Sequence, residues 1–274
     1  MIPLVVLDLD GTIIGASGQV DQCVWDAAEA AVEAGVKLAV CTGRPGFGAA
    51  QRIAQRLGAG NPHVFQSGAH VGYTDGRTVK VVSLKESDTR QLIEASRRHG
   101  VVLELYTPDS LYVERSTPLS QRHAATIGVT AIVRDLEQVA ATEPVVRAQW
   151  VVPLGEEAAI VEEAPADLQL SHAVSPALPD IAFVSLTREG VSKASAVALL
   201  AEQLRLDLAQ VMAVGDTDGD LPMLRVVGHP RVMANATPEL LAEFPSVGHV
   251  EACGAVEALE EAIAAAGGLI HSRP

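Results

Sequence analysis

Aromatic side chains make up only 3% of this 274-residue chain, so its interior must be built from aliphatic residues rather than rings. Basic residues are also few. Lys and Arg total 20 against 34 Asp and Glu, a net charge of −14. That balance excludes a general nucleic-acid surface, which needs clustered cations to displace counterions. No uninterrupted run of about 18 apolar residues offers a membrane span, and the opening residues carry no basic leader. The expectation is a cytoplasmic protein with neither nucleic acid nor membrane as partner, a monomer or homodimer. Cysteine occurs at positions 23, 41 and 253 only. This is neither a C-x-x-C pair nor a disulfide framework, and Cys41 reads as a small core residue inside an apolar strand.

What is present is 48% apolar and alternates between strand-like and helix-like stretches. Strand Pro3–Asp8, helix Val20–Ala34, strand Val36–Cys41, helix Pro45–Leu57 and strand His63–Gln66 are expected in that order. The alternation returns with helix Lys193–Leu206, strand Val211–Gly215, helix Leu221–Val226, strand Arg231–Met233 and a closing helix around Val256–Ala266. Near-continuous apolar strands separated by helices indicate an α/β fold with a Rossmann-like, doubly wound parallel-sheet core. The middle is denser. An Asp-Gly turn at Tyr73–Arg77 leads to helix Ser87–His99, strands Val101–Tyr106 and Leu111–Glu114, and helix Leu119–Ile127. Strand Val145–Val151, helix Glu156–Ala164 and strand Ile181–Ser185 complete it. Core halves at 1–80 and 187–274 thus flank an inserted α+β unit at 81–186.

Doubly wound sheets bind ligands beyond the carboxyl ends of their strands, and polar clusters fall at those ends. Asp8 and Asp10 close the first strand, Thr42-Gly43-Arg44 the second, and Asp216 follows Val211–Gly215; Lys193 opens the helix entering the second core half. Two adjacent carboxylates repel unless a cation compensates. Asp216 and Asp220 add to the negative charge, and an oxygen-only set without His or Cys suits Mg²⁺ better than Zn²⁺. Mg²⁺ commonly shares its shell with substrate phosphate. Thr42, the Gly43 N–H and Lys193 supply donors for such a group, Gly11 permits a sharp exit with an N–H available to an anion, and an Asp can accept phosphorus.

"DLDGT" at Asp8–Thr12, "CTGRP" at Cys41–Pro45, "VSKASAV" at Val191–Val197 and "GDTDGDLPML" at Gly215–Leu224 resemble, in order, the four motifs of the haloacid-dehalogenase-like hydrolases. "RVMANAT", with Asn235, is similar to a late segment of that superfamily's Cof-type sugar-phosphate phosphatases, and the insertion to its C2-type cap. The resemblance implies Asp8 as nucleophile, Asp10 as acid/base, and Thr42, Gly43 and Lys193 on phosphate. It also implies Mg²⁺ on Asp8, Asp216 and the Asp10 carbonyl, with Asp220 and Asn235 in support. The activity implied is phosphomonoester hydrolysis of a small phosphorylated metabolite through an aspartyl-phosphate. The sequence departs from the family pattern at Ser67, Gly219 and Ala234, where Asn, Asn and Gly are usual; Gly219 is expected to loosen its loop.

Two alternatives stay open: a phosphomutase sharing the nucleophile, and a phosphate sensor without turnover. Others fall away. The acids from Asp216 are not a calcium loop, because its twelfth position is Val227 and not Glu. No G-x-G-x-x-G, Walker loop or H-E-x-x-H is present, and Ser195 lacks a nucleophile elbow. In the inserted unit, Glu104 and Tyr106 share one strand face; there, with Tyr112, Arg115 and Arg147, substrate recognition competes with ordinary cross-strand packing.

Overall fold

A computed structural model describes residues 1–175 and 178–267. The chain divides into two compact units: Met1–Gly43 with Arg52–Val79 and the chain from Ser192 onward, and Arg44–Gln51 with Lys80–Val191.

The first unit contains a five-stranded, wholly parallel sheet in the order Ser246–Val247, His229–Met233, Val211–Gly215, Leu4–Leu7, Lys37–Val40. Every residue of Leu4–Leu7 is buried, as a central strand covered on both faces requires. Leu4, Val6, Val211 and Ala213 share a core with Ala196, Val197 and Leu200 of helix Lys193–Gln203. Alternation sends Val5, Leu7, Met212 and Val214 to the opposite face, where helices Gln22–Glu33 and Ala255–Gly267 pack. A parallel bridge from Cys41 to Val64 continues the sheet toward strand His63–Phe65, which forms a three-stranded sheet with His70–Gly72 and Thr78–Val81. The expected Asp-Gly reversal joins the last two, with Tyr73 N–H on Arg77 O at 2.7 Å.

Register positions the site. Leu7 lies opposite Val214 on one side and Val40 on the other. The residues that follow each strand, Asp8, Asp216 and Cys41-Thr42, therefore leave the sheet at one common edge.

Two expectations are corrected. The second helix begins at Ala49, not Pro45; Gly48 has a left-handed φ of 67°, and a Cβ there would meet Gly128 O at 2.5 Å, so the chain stays a loop through Gly48. Cys23 and Cys253, read as isolated, form a disulfide between residues 230 positions apart. Closing so long a loop restricts the unfolded chain and stabilises the fold by up to about 5 kcal/mol. Cys41 is free and buried, as expected. Helix Pro238–Glu243 and strand Ser246–Val247 were not anticipated.

The second unit holds a six-stranded sheet in the order Leu168–Ser175, Leu178–Arg188, Arg147–Pro153, Val102–Tyr106, Leu111–Val113, Ala131–Val133. All its pairs are antiparallel except the last. Helix Glu86–His99 buries Leu92 and Ile93 against Leu103, Leu105, Trp150 and Val152. For Glu104 and Tyr106 packing wins: both are fully buried, and Glu104 accepts from Tyr106 Oη at 2.7 Å and Gln149 Nε2 at 3.0 Å, with His123 Nδ1 at 2.9 Å. Among the described residues no helix is long and apolar enough to cross a membrane.

Candidate active site

Asp8 is the first residue beyond its strand. Its N–H donates to Val214 O at 3.0 Å, which holds the backbone in sheet register and keeps the carboxylate at the edge, 6% exposed. Lys193 opens its helix behind the cap residue Ser192, whose hydroxyl accepts from Ser195 N at 3.1 Å. Ser195 is thus a helix-start residue, as its sequence context implied. From that position the Lys193 ammonium donates to Asp8 Oδ1 at 2.6 Å and Asp220 Oδ1 at 2.5 Å.

Asp220 is completely buried. Its second oxygen accepts from Asp216 N at 3.0 Å, Thr217 N at 3.1 Å and Thr217 Oγ1 at 3.3 Å, folding the loop back over Gly215. A Cβ on Gly215 would come within 2.5 Å of Asp220 Cβ, so glycine is needed there. These bonds close the loop with Gly219 in it. Asp216 in turn accepts from Thr12 Oγ1 at 3.1 Å. Thr12 is a site contact that the sequence reading passed over, although it sits inside the first motif. Gly11 takes φ +81°, and a Cβ there would overlap the Asp216 carboxylate. Its N–H donates to Ile14 O at 2.9 Å instead of facing an anion. Asn235 Nδ2 donates to Gly11 O at 2.8 Å and its Oδ1 accepts from Val250 N at 2.9 Å, so it braces the same loop.

Asp8, Asp216 and Asp220 present carboxylate oxygens within 4.8 Å of one another. Asp10 lies outside that triad, exposed at the turn, though its charge acts on both Asp8 and Asp216. Thr42 is buried, with its N–H on Val64 O and its carbonyl accepting from Ser67 N, both at 3.0 Å. It does not cap the helix that begins at Ala49. Gly43 follows it, half-buried at the same sheet edge.

Charge in this cluster is not balanced. Burial pushes Asp8 well above the ordinary carboxylate value, opposed by Lys193 and reinforced by Asp220 and Asp10. Burial also opposes the charge on Lys193, yet Asp220 and Asp8 outweigh it and hold the ammonium well above the usual lysine value. Burial and Asp220 push Asp216 up to about 6. One ammonium faces three buried carboxylates, all hard oxygen donors, and this set fits a hard divalent cation. Both Asp220 oxygens are taken by Lys193, two backbone N–H groups and a hydroxyl, so Asp8 and Asp216 are the members of the triad that could offer oxygens to such an ion.

The chain is similar to known proteins in sequence and in fold. YxeH of Bacillus subtilis (strain 168), a candidate phosphatase by name, is 28% identical over 248 residues, covering 88% of this chain and 90% of its own. A solved haloacid dehalogenase-like hydrolase from Bacteroides thetaiotaomicron has TM-score 0.83 at 22% identity, covering 94% of this chain and 98% of its own. The subclass IIB sugar phosphatase BT4131 has TM-score 0.77 at 17% identity, covering 94% and 98%. The haloacid dehalogenase-like hydrolase family matches residues 5–256, and the chain belongs to that family.

Proposed function

We propose that this protein hydrolyses phosphomonoesters of small metabolites, with sugar phosphates the favoured class. Asp8 attacks phosphorus and forms an aspartyl-phosphate; Asp10 protonates the departing alkoxide and then takes the proton of the water that cleaves the acyl phosphate. Thr42, the Gly43 N–H and Lys193 hold the phosphoryl oxygens. Asp8, the Asp10 carbonyl and Asp216 would hold Mg²⁺, with Asp220 and Asn235 supporting the loops that carry them. When bound, the ion supplies positive charge that offsets the crowding of phosphate against carboxylates. Residues 81–186 act as a C2-type cap that governs substrate access.

The observation that carries this reading is the buried Asp8 carboxylate, held by Lys193 beside Asp216 at the carboxyl edge of a parallel sheet. Family membership and the sugar phosphatase likeness favour the same chemistry. The test is a screen of sugar phosphates, pyridoxal phosphate, flavin mononucleotide and nucleotides, with and without Mg²⁺, reading inorganic phosphate. Mg²⁺-dependent phosphate release is expected. An isomeric sugar phosphate without free phosphate would make the protein a mutase, and tight binding without turnover would make it a sensor.

A further inference from the structure

We propose that Cys23–Cys253 is a thiol-exchange site, through which a dithiol reductant loosens the segment that follows the Asp8 nucleophile. Cys23 is the second residue of helix Gln22–Glu33, and Cys253 ends the 3-10 turn Val250–Ala252 in a left-handed conformation, φ 58°. Both are half-buried, within reach of a small thiol.

The turn that carries Cys253 grips the loop after Asp10 at two points. Glu251 Oε1 accepts from Ala16 N at 2.7 Å, and a Cβ on Gly15 would overlap that carboxylate. Val250 N donates to Asn235, whose amide donates to Gly11 O. The same loop carries Thr12, whose hydroxyl holds Asp216. The disulfide therefore reaches the acid cluster through one turn and one loop. It is not the sole link between the two segments, because helix Gln22–Glu33 also packs directly on helix Ala255–Gly267, which follows Cys253. Losing the bridge frees the turn and leaves the core in place. Cys41 is fully buried with its thiol pushed up by burial, so it stays silent in the exchange.

In the exchange, a thiolate of the dithiol attacks one sulfur and the S–S bond breaks. The departing cysteine sulfur takes a proton, and the second thiol of the reductant resolves the mixed disulfide. Two electrons pass to the protein, giving two cysteine thiols and the oxidised dithiol.

The test compares protein purified without reductant, the same protein after dithiothreitol, and after re-oxidation. Native thiol titration, amide hydrogen exchange and phosphatase turnover are read on each. Reduction is expected to expose two thiols and to raise exchange across residues 11–19 by about tenfold, leaving the core strands protected. Turnover falls severalfold at fixed Mg²⁺, and re-oxidation restores both. Cys23→Ser matches the reduced form and ignores dithiothreitol; Glu251→Ala, which removes the acceptor of Ala16 N, loosens the loop with the bridge intact. Absence of the disulfide, unchanged exchange in residues 11–19 after complete reduction, or complete loss of core protection would each overturn the proposal. The turnover arm rests on the phosphatase reading and the exchange arm does not. Loosening without activity in either state would count against that reading alone and support the exchange site.

Discussion

Lys193 Nζ donates to Asp8 Oδ1 at 2.6 Å, across 185 positions of sequence, in an environment that exposes neither side chain by more than a tenth. The contact joins the two halves of the sequence that the inserted unit separates. It also sets the electrostatics, because the same ammonium serves Asp220.

Removing that ammonium strands two buried acids. Lys193→Met is expected to destabilise the fold by about 3–5 kcal/mol, the range for breaking a buried ion pair from one side. Urea unfolding of the variant against wild type measures this. A loss below about 1 kcal/mol would mean the pair behaves as a surface contact.

Gly11→Ala places a methyl group against the Asp216 carboxylate at a residue with φ +81°. A left-handed alanine alone costs about 1 kcal/mol, and the clash adds the displacement of Asp216. The Mg²⁺ concentration for half-maximal activity should rise together with the loss of thermal stability. Asp216→Asn should raise it too, without the backbone penalty, and unchanged Mg²⁺ dependence in both would remove Asp216 from the ion's ligands.

His63 gives the pH dependence a sign. Val40 N–H donates to its Nδ1 at 3.1 Å, and its Nε2 lies 3.1 Å from Gly58 O, a pattern that fits the neutral ring. Burial lowers its pKa from 6.5 to about 4. The unfolded chain therefore takes up the proton first, and the His63 component of stability is lost as pH drops from about 6.5 to about 4, about 3 kcal/mol, opposite in sign to the component from the raised Asp216. His63→Gln, which keeps one acceptor and one donor, should remove that component. Equal acid sensitivity in wild type and variant would contradict the assignment.

Much of this was legible in the chain because the informative signals are local. "VVLDLDGT" announces a buried strand ending in acids, and parallel register turns that into a shared edge with Asp216 and Thr42. Other features depend on partners distant in sequence. Gly48 stops helix Ala49–Gly58 from starting earlier because Gly128 approaches it. Strand Leu168–Ser175 is an edge strand whose mixed polarity gave no signal, and helix Leu136–Thr142 is a short element opened by the Asp135 cap. Cys23 and Cys253 carry no spacing rule across 230 residues. Thr12 was visible inside the first motif, but its hydroxyl gains a role only once Asp216 lies beside it.

The identity of the nucleophile is the claim on which the rest depends. Mass spectrometry of acid-quenched protein, mixed with Mg²⁺ and the best substrate from the screen, tests it directly. The account predicts one phosphoryl group on the peptide containing Asp8, absent from Asp8→Asn, which should keep its fold and lose turnover. A phosphoryl group on any other residue, or ordinary turnover by Asp8→Asn, would contradict it.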